Sequence, residues 1–382
     1  MSLLGPGSDG AVGGRVDLGG RRRTPAQILH IDVPLLLLLL ALSAISLMVL
    51  YSASGQNMDM IWRQSLRLGV GFAILLALAQ INIATLKRWT PWLFGIGVAL
   101  LIAVLFAGET GKGAQRWLDL GLFRFQPSEM LKLAVPMMVA WHLSDHALPP
   151  RPRRLATASL IIIVPTLLIA KQPDLGTALL VASAGVFILL FAGISWRLVF
   201  ASGAVLAAGA PVLWYFMHDY QRQRVLTFLN PEQDPLGSGY HIIQSKIAIG
   251  SGGLYGKGWL NGTQSQLNFL PERSTDFIFS AYAEEFGFFG VLLLLSVYLL
   301  VIVRGLLIAV QAQDTYSRLL AGGLVMTFFI YLFVNIGMVT GLLPVVGLPL
   351  PLVSYGGTSM VTLMAGFGIL MSIHTHRKLL PR

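Results

Sequence analysis

The chain has 382 residues, of which 55 % are hydrophobic and 12 % charged, with 27 Lys and Arg against 17 Asp and Glu. A mean hydropathy of +0.72 excludes an ordinary soluble domain, which needs roughly a quarter of its residues charged to wet its surface. The net charge of +10 sits mostly between apolar runs rather than on a basic, aromatic-studded stripe, which excludes nucleic acid as a partner, and the lack of cysteine excludes thiol catalysis and thiolate metal sites.

Residues 1–30 are polar and Gly-rich and end near Arg21, Arg22 and Arg23, the pattern of a disordered cytoplasmic tail. The apolar run from Pro34 is too long for the core of a signal peptide, so it is expected to stay as a first membrane helix. Runs long enough to span follow at 34–53, 67–85, 91–107, 128–146, 155–171, 174–193, 197–217, 277–303, 318–341 and 351–373. The expected fold is therefore an all-α polytopic membrane protein of about ten helices, a single transmembrane unit over 31–376 with a short tail at 377–382. Lys and Arg in the short loops, among them Lys87, Arg88, Arg151, Arg153, Arg154 and Arg318, place both termini in the cytoplasm.

Two connections are longer than a bundle needs, 108–127 and 218–276, and both are expected on the outer face. The stretch from Tyr240 to Ile249 has apolar residues at helical spacing and is read as a helix able to lie in the interface. No convincing internal repeat is present, which weighs against a secondary transporter.

Ionisable residues within or beside membrane spans are costly and are functional candidates for that reason. Three clusters stand out, all towards the outer face. The first holds Arg116 and Trp117, then Glu129 and Lys132. Glu129 and Lys132 are three apart on a helix and either simply pair or serve a site. The second is Lys171 and Asp174, where Pro173 and Asp174 also suit a helix start. The third runs from Arg224 through a Gly-rich stretch at 250–258 to Asp276, Glu284 and Glu285. That stretch is not a Walker loop, since Gly258 rather than Ser or Thr follows Lys257. Asp276 either caps a helix or acts in a site, yet three carboxylates along one segment exceed what capping needs. His142 and His146 are four apart but lack a third ligand, so no metal site is expected there.

Six pieces in order, GAQRW at 113–117, FQPSE at 125–129, KQPDLGTA at 171–178, the stretch from Tyr220 through IGSGGLYGKG at 249–258, PERSTDFIFS at 271–280 and SYGGTS at 354–359, resemble the SEDS proteins of shape, elongation, division and sporulation. The GAQRWLDLG and IGSGGLYGKG stretches look like the elongation branch, and position 274 is Ser where many members carry His. The resemblance implies a peptidoglycan glycosyltransferase of the bacterial cytoplasmic membrane that polymerises lipid II during elongation and rod-shape maintenance. It implies Asp276 as the catalytic base, and Arg116, Trp117, Glu129, Lys132, Lys171, Asp174 and Arg224 as substrate-binding candidates. It also implies an elongation-type class B penicillin-binding protein as partner alongside membrane lipids, and no cofactor beyond a substrate-bound divalent cation such as Mg2+. Two other readings stay open at this point: a lipid II flippase, and a non-catalytic scaffold for the penicillin-binding protein.

Overall fold

The computed structural model describes residues 29–111, 114–119, 124–217, 219–233, 237–266 and 272–376. The two expected tails fall outside the described residues, apart from the last positions of the first. Ten long helices form the bundle among the described residues: α1 (Val33–Ala53), α2 (Met58–Ala79), α3 (Ile83–Ala107), α4 (Pro127–Ser144), α5 (Pro152–Lys171), α6 (Leu175–Phe191), α7 (Trp196–Phe216), α11 (Ile278–Val310), α12 (Thr315–Val339) and α13 (Thr358–Thr375). Seven of them, all but α4, α6 and α7, are long and apolar enough to cross a membrane by themselves. Glu129, Lys132 and His142 lower the hydropathy of α4, which packs at the centre against α3, α5, α6, α12 and α13.

Two of the helices, α2 and α3, start where a side chain caps them, not where hydropathy rises. Asn57 Oδ1 accepts from the Met60 amide at 3.2 Å, and Asn82 Oδ1 from the Ala84 amide at 2.9 Å. Hence α2 and α3 begin at 58 and 83 rather than 67 and 91, and Arg63, Arg67, Lys87 and Arg88 belong to helices rather than loops. At the other end of the chain, Pro349, Pro351, Gly356 and Gly357 delay α13 to residue 358 and leave 340–357 as turns.

The first long connection contains a small antiparallel sheet in the order β1 (Glu109–Gly111), β2 (Ala114–Asp119), β3 (Arg124–Phe125), which the all-helical reading did not foresee. Its register pairs Glu109 with Trp117 and Leu118 with Phe125. The second connection folds into α8 (Asp219–Leu229), α9 (Ser238–Ser251) and the single turn α10 (Thr263–Gln266). The predicted Tyr240–Ile249 helix exists as α9, but one face packs into the protein instead of lying only on the membrane surface. Ile242, Ser245 and Ala248 are buried, and Ser245 Oγ bonds Ser280 Oγ at 2.7 Å and the Val339 carbonyl at 2.5 Å.

The Gly-rich stretch fastens a break in α11. Gly287, at φ 64° and ψ −163°, interrupts that helix, which frees backbone groups on both sides of it. The loop takes up all four. Lys257 and Gly258 amides donate to the Glu284 and Glu285 carbonyls, each at 3.0 Å, and Phe288 and Phe289 amides donate to Gly253 and Leu254 carbonyls at 2.9 and 3.2 Å. The Glu284 carboxylate adds Lys257 Nζ at 2.7 Å and the Gln264 amide at 2.9 Å, and Glu285 accepts from Ser52 of α1 and from the Leu260 and Gly262 amides of the loop. Glu284 and Glu285 thus hold the loop, a structural role the sequence did not reveal.

At the cytoplasmic end, distant helices are tied together. Asp32, the N-cap of α1, receives Arg304 Nε of α11 at 3.1 Å and lies 3.2 Å from His374 Nε2 of α13. Lys87 pairs with Asp145 at 2.7 Å. Burial pushes the Asp32 carboxyl up, but hydrogen bonds from Arg304 and the Leu35 amide, with the Arg304 charge, outweigh it and leave it below the ordinary value. A depressed carboxyl stabilises above its unfolded pKa and loses that contribution as pH falls through the folded value. The clasp is expected to hold through neutral and mildly acidic pH. Its loss would appear as a drop in thermal midpoint below the ordinary Asp range, and Asp32→Asn would flatten that part of the profile.

Candidate active site

The opposite end of the bundle holds a cavity of about 450 Å³ lined by Arg116, Asp174, Arg224, Glu272, Thr275, Asp276 and Tyr355, with Leu175, Val346, Gly347 and Pro349. Five separate segments build it: β2, the start of α6, α8, the approach to α11, and the turns before α13. Four of the sequence candidates, Asp276, Arg116, Asp174 and Arg224, therefore meet in one place although 160 positions separate Arg116 from Asp276.

Asp276 does not cap α11. The capping position is Phe277, which makes no side-chain cap bond, and the carboxylate of Asp276 faces the cavity instead. The turn before it is tight. Glu272 sits at φ 54°, and its carbonyl receives the Thr275 and Phe277 amides at 3.0 and 3.3 Å. Thr275 Oγ1 also donates to Glu272 Oε2 at 2.6 Å. Positive φ at a non-glycine residue is uncommon and tends to gather at functional sites.

Arg116 is held on the opposite wall. Its guanidinium donates to the Gln172 carbonyl at 3.4 Å and to the Pro173 carbonyl, and stands 3.7 Å from Asp174 Oδ2. Asp174 is in turn fixed as the N-cap of α6, accepting from the Thr177 amide at 3.2 Å and from Gln126 Nε2 at 3.1 Å. Asp174 is thus both a cap and the carboxylate that orients Arg116. An arginine whose plane is preset loses little freedom when it binds an anion.

The remaining candidates stand apart. Trp117 follows Arg116 on β2, where neighbouring side chains point to opposite faces, and it does not line the cavity. Lys171 ends α5 exposed and outside the cavity, while its neighbour Gln172 is buried and donates to the Leu101 carbonyl at 3.0 Å. Glu129 and Lys132 form a buried pair at 2.7 Å, with Lys132 Nζ also 2.5 Å from the Tyr331 hydroxyl. Lys132 lines a small separate crevice between α4, α12 and α13. Removing one partner of such a pair strands the other charge, at about 3–5 kcal/mol. Lys132→Met is expected to lower stability by that amount in thermal unfolding, and adding Glu129→Gln should restore most of it.

Sequence reasoning missed Glu272, Thr275 and Tyr355 as cavity residues. Their signal was membership of the PERSTDFIFS and SYGGTS pieces, which mark them without giving a role. Among the described residues no group of three or more His, Asp or Glu is placed to hold a metal ion.

The family model described as cell cycle protein FTSW_RODA_SPOVE matches residues 30–379. The chain belongs to this family. It is 57 % identical to the peptidoglycan glycosyltransferase MrdB of Escherichia coli K12 over 354 residues, 92 % of this chain and 96 % of that one. It is 38 % identical to the probable peptidoglycan glycosyltransferase FtsW of Trichlorobacter lovleyi, across 94 % and 97 % of the two chains. Among solved structures, a chain from a peptidoglycan synthase complex that coordinates polymerization and crosslinking superposes with a TM-score of 0.80 at 35 % identity, covering 91 % of this chain and 98 % of that one. The rod shape determining protein RodA of Thermus thermophilus gives 0.69 at 30 % identity, over 91 % and 98 %. Membership makes the chain a multi-pass protein of the bacterial inner membrane, in agreement with its apolar helices.

Proposed function

We propose that this FtsW/RodA/SpoVE protein is the peptidoglycan glycosyltransferase of cell elongation, polymerising lipid II at the outer face of the membrane with Asp276 as its base. The observation that carries the reading is the meeting of Asp276 with Arg116 and Arg224 in one cavity at the end of the bundle opposite the basic loops. Inverting transfer from a lipid diphosphate needs a base near the attacking hydroxyl and cations near the leaving group. The acceptor sugar hydroxyl gives its proton to the Asp276 carboxylate as its oxygen bonds the donor C1. The bond from C1 to the diphosphate oxygen breaks, and the electron pair leaves with the lipid diphosphate. Arg116 and Arg224 are the guanidiniums that meet the charge developing there. Cross-linking of the product strands falls to an elongation-type class B penicillin-binding protein, the partner this reading implies.

A flippase handling the same lipid would need ionisable groups along a passage at several depths. The charges at the cytoplasmic end are instead tied to one another, Asp32 to Arg304 and Lys87 to Asp145. A pure scaffold does not account for carboxylates and guanidiniums facing a common cavity. The test is incubation of purified protein with lipid II, alone and with the penicillin-binding protein, followed by gel analysis of glycan length. Polymer that needs this chain supports the reading, and monomer alone in every lane rejects it.

A further inference from the structure

The carbonyls of Ser274, Thr275 and Asp276 are each taken by a different donor. The Tyr355 amide donates to Ser274 O at 2.8 Å, Ser354 Oγ to Thr275 O at 2.6 Å, and Asn335 Nδ2 to Asp276 O at 2.9 Å. Asn335 lies on α12 with no exposed surface, and its second Nδ2 proton goes to the Leu348 carbonyl at 2.7 Å. Two carbonyl partners on one side fix which end of that amide is nitrogen. Ser354 works in the same two-handed way, accepting the Leu350 amide at 2.7 Å while donating to Thr275. Both residues therefore bind the segment ending in Asp276 to the turns at 348–354, which lead into the SYGGTS piece at Ser354. Between them Gly347, at φ +72°, leaves room beside the carboxylate: a methyl group there would sit 3.5 Å from Asp276 Oδ2.

We propose that Asn335 is a positioning residue for Asp276, with Ser354 as its partner at the rim of the same frame. The proposal rests on the reading of Asp276 as base. Neither side chain touches the cavity; each acts through the backbone from which the carboxylate hangs. Displacement of a reacting group by about 1 Å costs on the order of 10²-fold in rate. Asn335→Ala is therefore expected to lower kcat roughly 10- to 100-fold while KM for lipid II stays close to wild type. A merely structural role would lower the amount of folded protein without that split. Asn335→Asp adds a second readout: a neutral acid keeps one donor and the ionised form keeps none. Its rate relative to wild type should rise as pH falls.

The experiment is steady-state polymerisation by full-length protein with its penicillin-binding partner, with thermal unfolding of each variant beside it. A kcat loss at unchanged KM in folded Asn335→Ala supports the proposal. Wild-type kcat, or equal loss in kcat and in substrate affinity, overturns it. If Asn335→Ala does not fold, Ser354→Ala decides by the same criteria. Wild-type rates in Asp276→Asn would instead remove the base assignment itself, which separates the two failures.

Discussion

Exchange of Asp276 for asparagine is expected to slow lipid II polymerisation by roughly 10²–10⁴-fold, the range lost with a general base, and to leave the protein folded. The amide matches the carboxylate in size but cannot take the proton of the acceptor hydroxyl. No cap is lost, because the N-cap of α11 is Phe277. The bond from Asn335 survives as well, since it goes to the Asp276 backbone carbonyl. Asp276→Glu keeps the charge but carries it one methylene further, and an intermediate rate is expected. Polymer from Asp276→Asn at the wild-type rate would remove this residue as the base.

Gly256→Ala is expected to produce the largest structural failure, a loss above about 4 kcal/mol, beyond the ordinary range for one substitution. The added methyl would lie 2.1 Å from the Glu285 carbonyl oxygen and 2.6 Å from the Phe286 carbonyl carbon, at a φ of +80°. Both obstacles are backbone, so no rotamer change relieves them. Relief requires the loop to lift from α11, which strands the four backbone groups freed by the break at Gly287 at about 1–3 kcal/mol each. Little monodisperse protein should be recovered in detergent, with a thermal midpoint many degrees lower. A midpoint within about 2 °C of wild type would show that the crossing is looser than its geometry states, given the several degrees expected per kcal/mol.

The bundle was legible in the sequence because lipid imposes one demand, a run of apolar residues long enough to span, and ten such runs are visible. What hydropathy could not show was the start of α2 and α3, where Asn57 and Asn82 open helices through polar first turns. Of the strands between 109 and 125, β1 and β3 are three and two residues long, too short to have a period to read, and without them the six residues of β2 had no visible partner. At the site, charge in unusual places marked Asp276, Arg116, Asp174 and Arg224, and the cavity gathers them. The same signal also marked Glu284 and Glu285, which grip a loop, and Lys171, which lies outside the cavity, since a charge that holds the fold and one that holds substrate look alike in a sequence. Lys132 and Glu129 show the reverse ambiguity, their spacing fitting the buried pair that the fold displays. Asn335 gave no signal at all: a neutral amide in an apolar helix becomes meaningful only when two distant carbonyls arrive beside it.

The cavity lining has a consequence for how substrate is found. Three carboxylates, Asp174, Glu272 and Asp276, face two guanidiniums, Arg116 and Arg224, so its walls carry no surplus of positive charge with which to draw a diphosphate from afar. An enzyme collecting a soluble anion would suffer from that balance, because steering through water relies on an attractive field. A substrate confined to the bilayer needs no such field. Its search is two-dimensional, and encounter is governed by its surface density and by lateral diffusion. Turnover in vesicles should accordingly follow the mole fraction of lipid substrate in the membrane and respond weakly to bulk ionic strength.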